Sequence, residues 1–361
     1  MHIRSKILLL IILLNFKLIG QTPILCSGDE CLSPNCKKSI DSSIDSLINK
    51  TDLNIYDFLM EKDDVNYSGG ALIQNYLDSN YTGKLQICHE NGKAMLLTYV
   101  YKGKIDSIIR VYHENGILLF REEYSKGTLN GLRTSYFPNG QLKTQFYYSK
   151  GQRKGLCYWY FENGQLEKCL NYNNGKIQGD YNTYYINGKL HKKFKYLNGL
   201  KNGICQTLHE NGSVAVYENF INGKRQGYRK YYQSVYQTNE SELVLKEFYI
   251  DGKAEGEAFS YYASSGKVAS KKIFVNGVEQ GTSYEYFENG KIKNEIGIID
   301  GHMSGKYYEY YENGQLKIKA NKITKLIDGL YSCSWDGEYT EYEINGDKKF
   351  THIYVNGEIA E

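Results

Sequence analysis

The chain is 361 residues long, and its 36 Tyr and 36 Gly beside three Pro and two Trp describe many short strands and tight turns rather than two or three ordinary domains. Continuous apolar runs occur only at the N-terminus, which excludes transmembrane helices from the rest. The formal net charge is +3, and a nucleic-acid binder would show a basic excess or stripe, neither of which is visible.

Residues 1–20, MHIRSKILLLIILLNFKLIG, have the order of a secretory signal peptide: a basic start at Arg4 and Lys6, an apolar stretch from Ile7 to Leu14, and Gly20 ahead of Gln21. Eight apolar residues are too few to span a bilayer. Cleavage near Gln21 is therefore expected, with an exported product that is periplasmic, cell-surface or extracellular. It would carry 41 basic and 41 acidic residues, because Arg4, Lys6 and Lys17 leave with the peptide.

Residues 21–66 form a cysteine-containing segment. Cys26, Cys31 and Cys36 stand five residues apart, and in an exported chain they are candidate disulfide partners. No His lies near enough to favour a metal site there. Ile40, Ile44, Leu47 and Ile48 are at helical spacing and predict a short helix that caps the first strand.

From residue 67 to 361 the chain repeats itself. Turn glycines at Gly92, Gly116, Gly140, Gly164, Gly188 and Gly212 are 24 residues apart, and the series resumes at Gly266, Gly290 and Gly314. A second series follows each by eleven residues, as at Gly127, Gly151 and Gly175. A fixed period of this length marks a repeat architecture. The first turn, mostly Glu-Asn-Gly, predicts a two-residue type I′ hairpin, since Asn and Gly both tolerate positive φ. The second, Asn-Gly-Lys-x-x-Gly, predicts a wider return loop. The expected fold is all-β: about eleven tandem hairpins in an elongated, twisted, antiparallel single-layer sheet, preceded by the short partly helical segment.

Type I′ register would place His113 opposite Leu118 and Phe137 opposite Leu142, with Tyr124 and Tyr148 on the same apolar face. The other face would carry a tyrosine column: Tyr112, Tyr136, Tyr160, Tyr184, Tyr232, Tyr262, Tyr286 and Tyr310. Charged residues such as Lys143 and Lys317 would lie across from it. The column is the candidate binding surface, because a tyrosine ring packs while its hydroxyl stays wet. The same rings could instead simply tile the sheet.

The pattern G-x-x-x-x-Y-x-E-N-G-x-L followed by Y-x-x-G-K-x-x-G resembles the bacterial variant of the MORN repeat, found in proteins grouped with YwqK-type antitoxins. The resemblance covers roughly residues 79–361. It implies a hairpin sheet acting as a scaffold, with antitoxin or immunity action as the alternative; membrane contact is implied only by eukaryotic MORN proteins, whose His-Gly-x-Gly ending is missing here. Two places break the period. One is a longer loop around Val235 to Ser241, and the other an insertion within residues 318–337. The five repeat cysteines read as free small apolar residues. No H-E-x-x-H, G-x-S-x-G or G-x-x-x-x-G-K-[ST] motif is present. No catalytic residue, cofactor or metal is expected, and the partner is an unknown protein or glycan rather than nucleic acid.

Overall fold

The computed structural model describes residues 79–89, 91–235, 238–327 and 329–360. The expected signal peptide, the cysteines Cys26, Cys31 and Cys36, and the helix at Ile40 to Ile48 lie outside the described residues. Among the described residues all regular structure is β, and every strand pairing is antiparallel. The chain divides into two units: one holds the described residues up to Ile177 together with Ile186–Gly188, the other Gln178–Tyr185 and everything from Lys189.

In the first unit the sheet is a meander in which each strand pairs with the one before and after it, as Thr128–Tyr136, Leu142–Ser149 and Gly155–Tyr160 do. The second unit repeats the plan from the pairing of Gly179–Tyr184 with Leu190–Leu197 to that of Gly337–Tyr342 with Lys348–Val355.

The two turns have exchanged the roles expected of them. The two-residue turn is the Asn-Gly of the second series. Asn198 and Gly199 have φ of 53° and 86°, and the residues flanking them, Leu197 and Leu200, are paired. Both central residues at positive φ make this the type I′ hairpin. In the Glu-Asn-Gly series only the glycine has positive φ, as Gly140 does at 85°. Gly140 N donates to Phe137 O at 2.8 Å, and Phe137 N donates to Gln141 O at 2.8 Å. That is a three-residue loop, a type I turn closed by a bulge at glycine, for which Pro138 is well suited. Asn139 is held by its side chain, whose Oδ1 accepts from Gln141 N at 2.9 Å.

The additional loop residue moves the register. Tyr136, not Phe137, pairs with Leu142, and a bulge follows between Ser135 and Tyr136. The same shift pairs Tyr112 with Leu118, Tyr160 with Leu166 and Tyr286 with Ile292. Strand alternation then buries one face, which in Ala94–Tyr101 puts Leu96, Thr98 and Val100 inward and Tyr99 and Tyr101 outward. In the first unit this face is a hydrophobic core that includes Val100, Ile105, Ile109, Phe120 and Tyr124. Glu122 lies within it, fully buried, with Arg133 Nε 2.9 Å away and the Tyr124 hydroxyl donating at 3.1 Å. In the second unit cations between aromatic rings take the place of part of that core. Lys201 sits 4.2 Å from the Phe194 ring and 5.0 Å from Phe220, and Lys322 lies 4.8 Å from Tyr307 and 4.4 Å from Trp335.

Two glycines of the second unit separate backbone strain from crowding. A Cβ on Gly290 (φ +87°) would meet nothing within 4 Å, whereas one on Gly297 would lie 2.5 Å from Ser304 O. Gly290→Ala should cost about 1 kcal/mol through backbone conformation alone. Gly297→Ala should cost more, since the neighbouring strand has to move. Urea midpoints of the two variants check the order.

Candidate functional site

What positions the sheet face is a set of bonds that run from one repeat to the next along both edges. At the three-residue turns, the Asn amide reaches the following turn. Asn91 Nδ2 donates to Glu114 O at 2.8 Å and Asn139 Nδ2 to Glu162 O at 3.3 Å in the first unit; Asn289 Nδ2 donates to Glu312 O at 3.0 Å and Asn313 Nδ2 to Ile344 O at 3.2 Å in the second. The residue opening that turn adds a second rung when it has a polar tip. His89 and His209 place Nε2 2.8 and 3.0 Å from the carbonyls of Tyr112 and Tyr232, which makes Nε2 the donor. The Tyr185 and Tyr311 hydroxyls donate likewise to Leu208 O and Tyr342 O. These histidines therefore do more than fill an aromatic column.

The other edge is laddered by the two-residue turns. Gly127 N donates to Ile105 O and Gly151 N to Leu129 O; Gly223 N donates to Lys201 O and Gly301 N to Glu279 O. The residue before the second glycine of Asn-Gly-Lys-x-x-Gly supplies a side-chain acceptor. Asn130 Oδ1 takes Lys150 N at 3.1 Å and Asn202 Oδ1 takes Asn222 N at 3.1 Å. The sequence reading missed this role; its signal was Asp, Asn, Gln or Glu recurring just before that glycine.

All eight tyrosines of the expected column are half-buried. Tyr112, Tyr136 and Tyr160 belong to the first unit, and Tyr184, Tyr232, Tyr286 and Tyr310 to the second. Tyr262 does not belong to the column. Tyr261 pairs with Val268 in its place, while Tyr262 opens the turn and its hydroxyl donates to Tyr286 O at 2.5 Å. The cause is the loop Ala263 to Gly266, one residue longer than Glu-Asn-Gly, which shifts the count back from the glycine. Across from the column stand Leu and Ile rather than Lys143 or Lys317, as the moved register requires.

The Tyr310 hydroxyl donates to Glu295 Oε1 at 2.8 Å, and burial together with that carboxylate raises its pKa. Burial raises Tyr160 and Tyr232 as well. On the buried face Tyr307 is pushed up to about 12, by burial first and then by Glu309. The repeat cysteines Cys88, Cys157, Cys169, Cys205 and Cys333 are unbridged. Burial pushes the Cys157 thiol up to about 11, which suits a packing residue and not a nucleophile.

The two irregular places are longer hairpins. Tyr232 keeps its column place opposite Leu243, and the pairing continues to Ser234 with Ser241. The insertion lengthens Leu316–Ile327 and Leu330–Trp335, leaving Leu326, Ile327, Leu330 and Tyr331 exposed at the tip. A shallow cleft of about 300 Å³ at its base is lined by Lys322, Cys333, Ser334, Trp335 and Gly357. Among the described residues no group of three or more His, Cys, Asp or Glu is placed to hold a metal ion, and no helix is long and apolar enough to cross a membrane.

Four stretches, residues 129–150, 153–174, 279–297 and 303–321, match the family described as the MORN repeat variant. These four stretches are thus MORN-variant repeats. Such repeats are generally protein- or membrane-interaction modules. No curated protein matches the chain. Among solved structures, a mutant TarM from S. aureus is similar at 11% identity over 58% of this chain, with a TM-score of 0.20. The TcdB2-TccC3 structure is similar at 12% identity over 80% of it, with a TM-score of 0.18. The chain spans 39% of the first of these proteins and 16% of the second.

The Asn rung can be tested in the second unit. Asn289→Ala removes the donor to Glu312 O and the acceptor of Lys291 N, and should cost about 1 kcal/mol at this exposed turn. Asn289→Asp keeps the acceptor and should cost less. Thermal melts, with amide exchange speeding up at Lys291, provide the check.

Proposed function

We propose that the chain is a non-enzymatic, exported interaction or scaffolding module that holds its partner on the tyrosine-bearing sheet face. One observation carries this reading. Within each unit, backbone and turn bonds already join repeat to repeat at both edges, so the half-exposed rings on the face are not needed to hold the repeats together. A half-buried tyrosine offers a rigid ring with large contact area and a hydroxyl for hydrogen bonds, at little entropic cost. Export rests on the character of residues 1–20. A second reading, antitoxin or immunity protein, rests on the resemblance to YwqK-type proteins and would require a toxin gene alongside.

The test starts from the full chain. After secretion, N-terminal sequencing should find a product beginning near Gln21. A partner captured by that product should be lost about tenfold on changing Tyr232 and Tyr286 together to Ser, with circular dichroism unchanged. Undiminished retention by the folded variant would reduce the column to tiling.

A further inference from the structure

The face that carries the tyrosine column in the second unit also holds a row of side chains that runs across the strands. Tyr217 pairs with Lys230, Lys230 with Lys246, Lys246 with Phe259, Phe259 with Lys271, and Lys271 with Tyr284. Residues paired directly across antiparallel strands point to the same side of the sheet, so these six form one line. Five steps at the usual strand spacing make it ~24 Å long. On the next strand Tyr284 pairs with Glu295, and the line goes on through Tyr308 to Lys319.

Lys230 and Lys246 stand directly opposite one another, an arrangement that destabilises a sheet. Among the described residues neither has a carboxylate within ion-pair distance. Lys246 Nζ lies 4.4 Å over the Tyr228 ring, and Lys271 alone of the three is neutralised, by Glu257 at 2.6 Å. The positive charge is therefore left for an anion from outside.

The neighbouring chemistry narrows what that anion is. The rings lie side by side as tiles, with centroids 6.5 Å apart for Phe259 and Tyr261 and 6.4 Å for Tyr284 and Tyr286, at interplanar angles of 36° and 26°. Such tiles meet a flat apolar surface from above, as the CH face of a sugar ring presents. The cations in the row are all lysine. Arg225 and Arg229, whose planar forks would suit phosphate, are instead bound to Glu218 at 2.7 and 2.9 Å. Strands step by a distance close to the rise of one sugar in an extended polysaccharide, so successive sugars can meet successive strands.

We propose that this row binds an extended anionic polysaccharide through lysine contacts to its carboxylates and stacking of its sugars on Phe259 and Tyr284. The proposal rests on the reading of the chain as an interaction module and names the ligand class for that face. Polygalacturonate is the probe, titrated calorimetrically against the full-length secreted chain, with dextran, poly-L-glutamate and oligo-dT as comparisons. Polygalacturonate should bind, weaken as salt rises, and outbind the other three. Lys230→Gln with Lys246→Gln should lower its affinity about tenfold or more, while Lys→Arg at both positions retains it. Because the double Gln variant removes a like-charge pair, its melting temperature should hold or rise, which separates lost binding from lost folding. Absence of polygalacturonate binding at low salt, binding indifferent to the Gln substitutions, or equal binding of poly-L-glutamate or oligo-dT would overturn the proposal. A protein partner still held through Tyr232 and Tyr286 in that event would leave the module reading standing.

Discussion

Within each unit the glycine N–H of a two-residue turn donates to a carbonyl of the preceding repeat, as Gly127 N does to Ile105 O and Gly223 N to Lys201 O, and the rest of the architecture depends on that bond. It requires a turn with positive φ at both central residues, since only the primed hairpin matches the right-handed twist of its strands. Lys102, Lys126 and Lys150 accept φ near 50° at the first of these positions, where Asn or Asp serves later in the chain. A lysine in that conformation is uncommon, so the position is fixed by the neighbouring repeat and not by the residue that occupies it. With one edge set in this way, the other edge needs only a turn that reaches forward, which the Asn amide provides.

Edge ladders also explain how single-layer repeats persist on so modest a core. A sheet normally earns its stability by burying one face against a second layer. In the first unit a contiguous set of aliphatic and aromatic side chains is buried on one face. In the second, buried residues are sparse, and stacked rings with intercalated cations, such as Arg225 between Phe220 and Tyr249, cover the same positions. The lysine and arginine stems supply apolar area while the head sits over a ring face. Repeat joined to repeat through short-range bonds is the arrangement in which stability accumulates from nearest neighbours.

The period, the all-β character and the placing of a tyrosine on every repeat were legible in the sequence because glycine positions and aromatic spacing are local. Turn type was not. Both series contain Asn-Gly, and the deciding feature is the loop length that the next repeat's bonds select, which is a tertiary constraint. From that one misreading followed the shifted register, with Leu142 assigned to Phe137 instead of Tyr136; Tyr262 was misplaced separately, by a loop one residue longer. The lysine row was invisible for a different reason. Its members are 12 to 16 residues apart in the chain, and only strand register brings Lys230 face to face with Lys246. A charge count along the chain shows a net +3 spread over 361 residues, where the fold makes a local cationic line.

The insertion before the last hairpin shows how strictly period two governs what such a sheet accepts. Gly314 and Gly346 are 32 residues apart instead of 24. The additional eight are divided equally, since the strands are 12 and 6 residues long where the repeat at Val268–Val275 and Val278–Glu279 has 8 and 2. Four residues added to each strand is an even number, so every side chain beyond the insertion keeps its face. Trp335 can therefore lie 5.3 Å from Tyr307 and 5.2 Å from Tyr339, continuing the aromatic packing of the buried face. An odd addition to either strand would have turned Trp335 to the other side and broken that stack. The tip is tied back by Tyr331, whose ring stacks 3.7 Å from His302. The sheet thus accommodates growth at a turn when both strands lengthen in step, and the aromatic column enforces the parity.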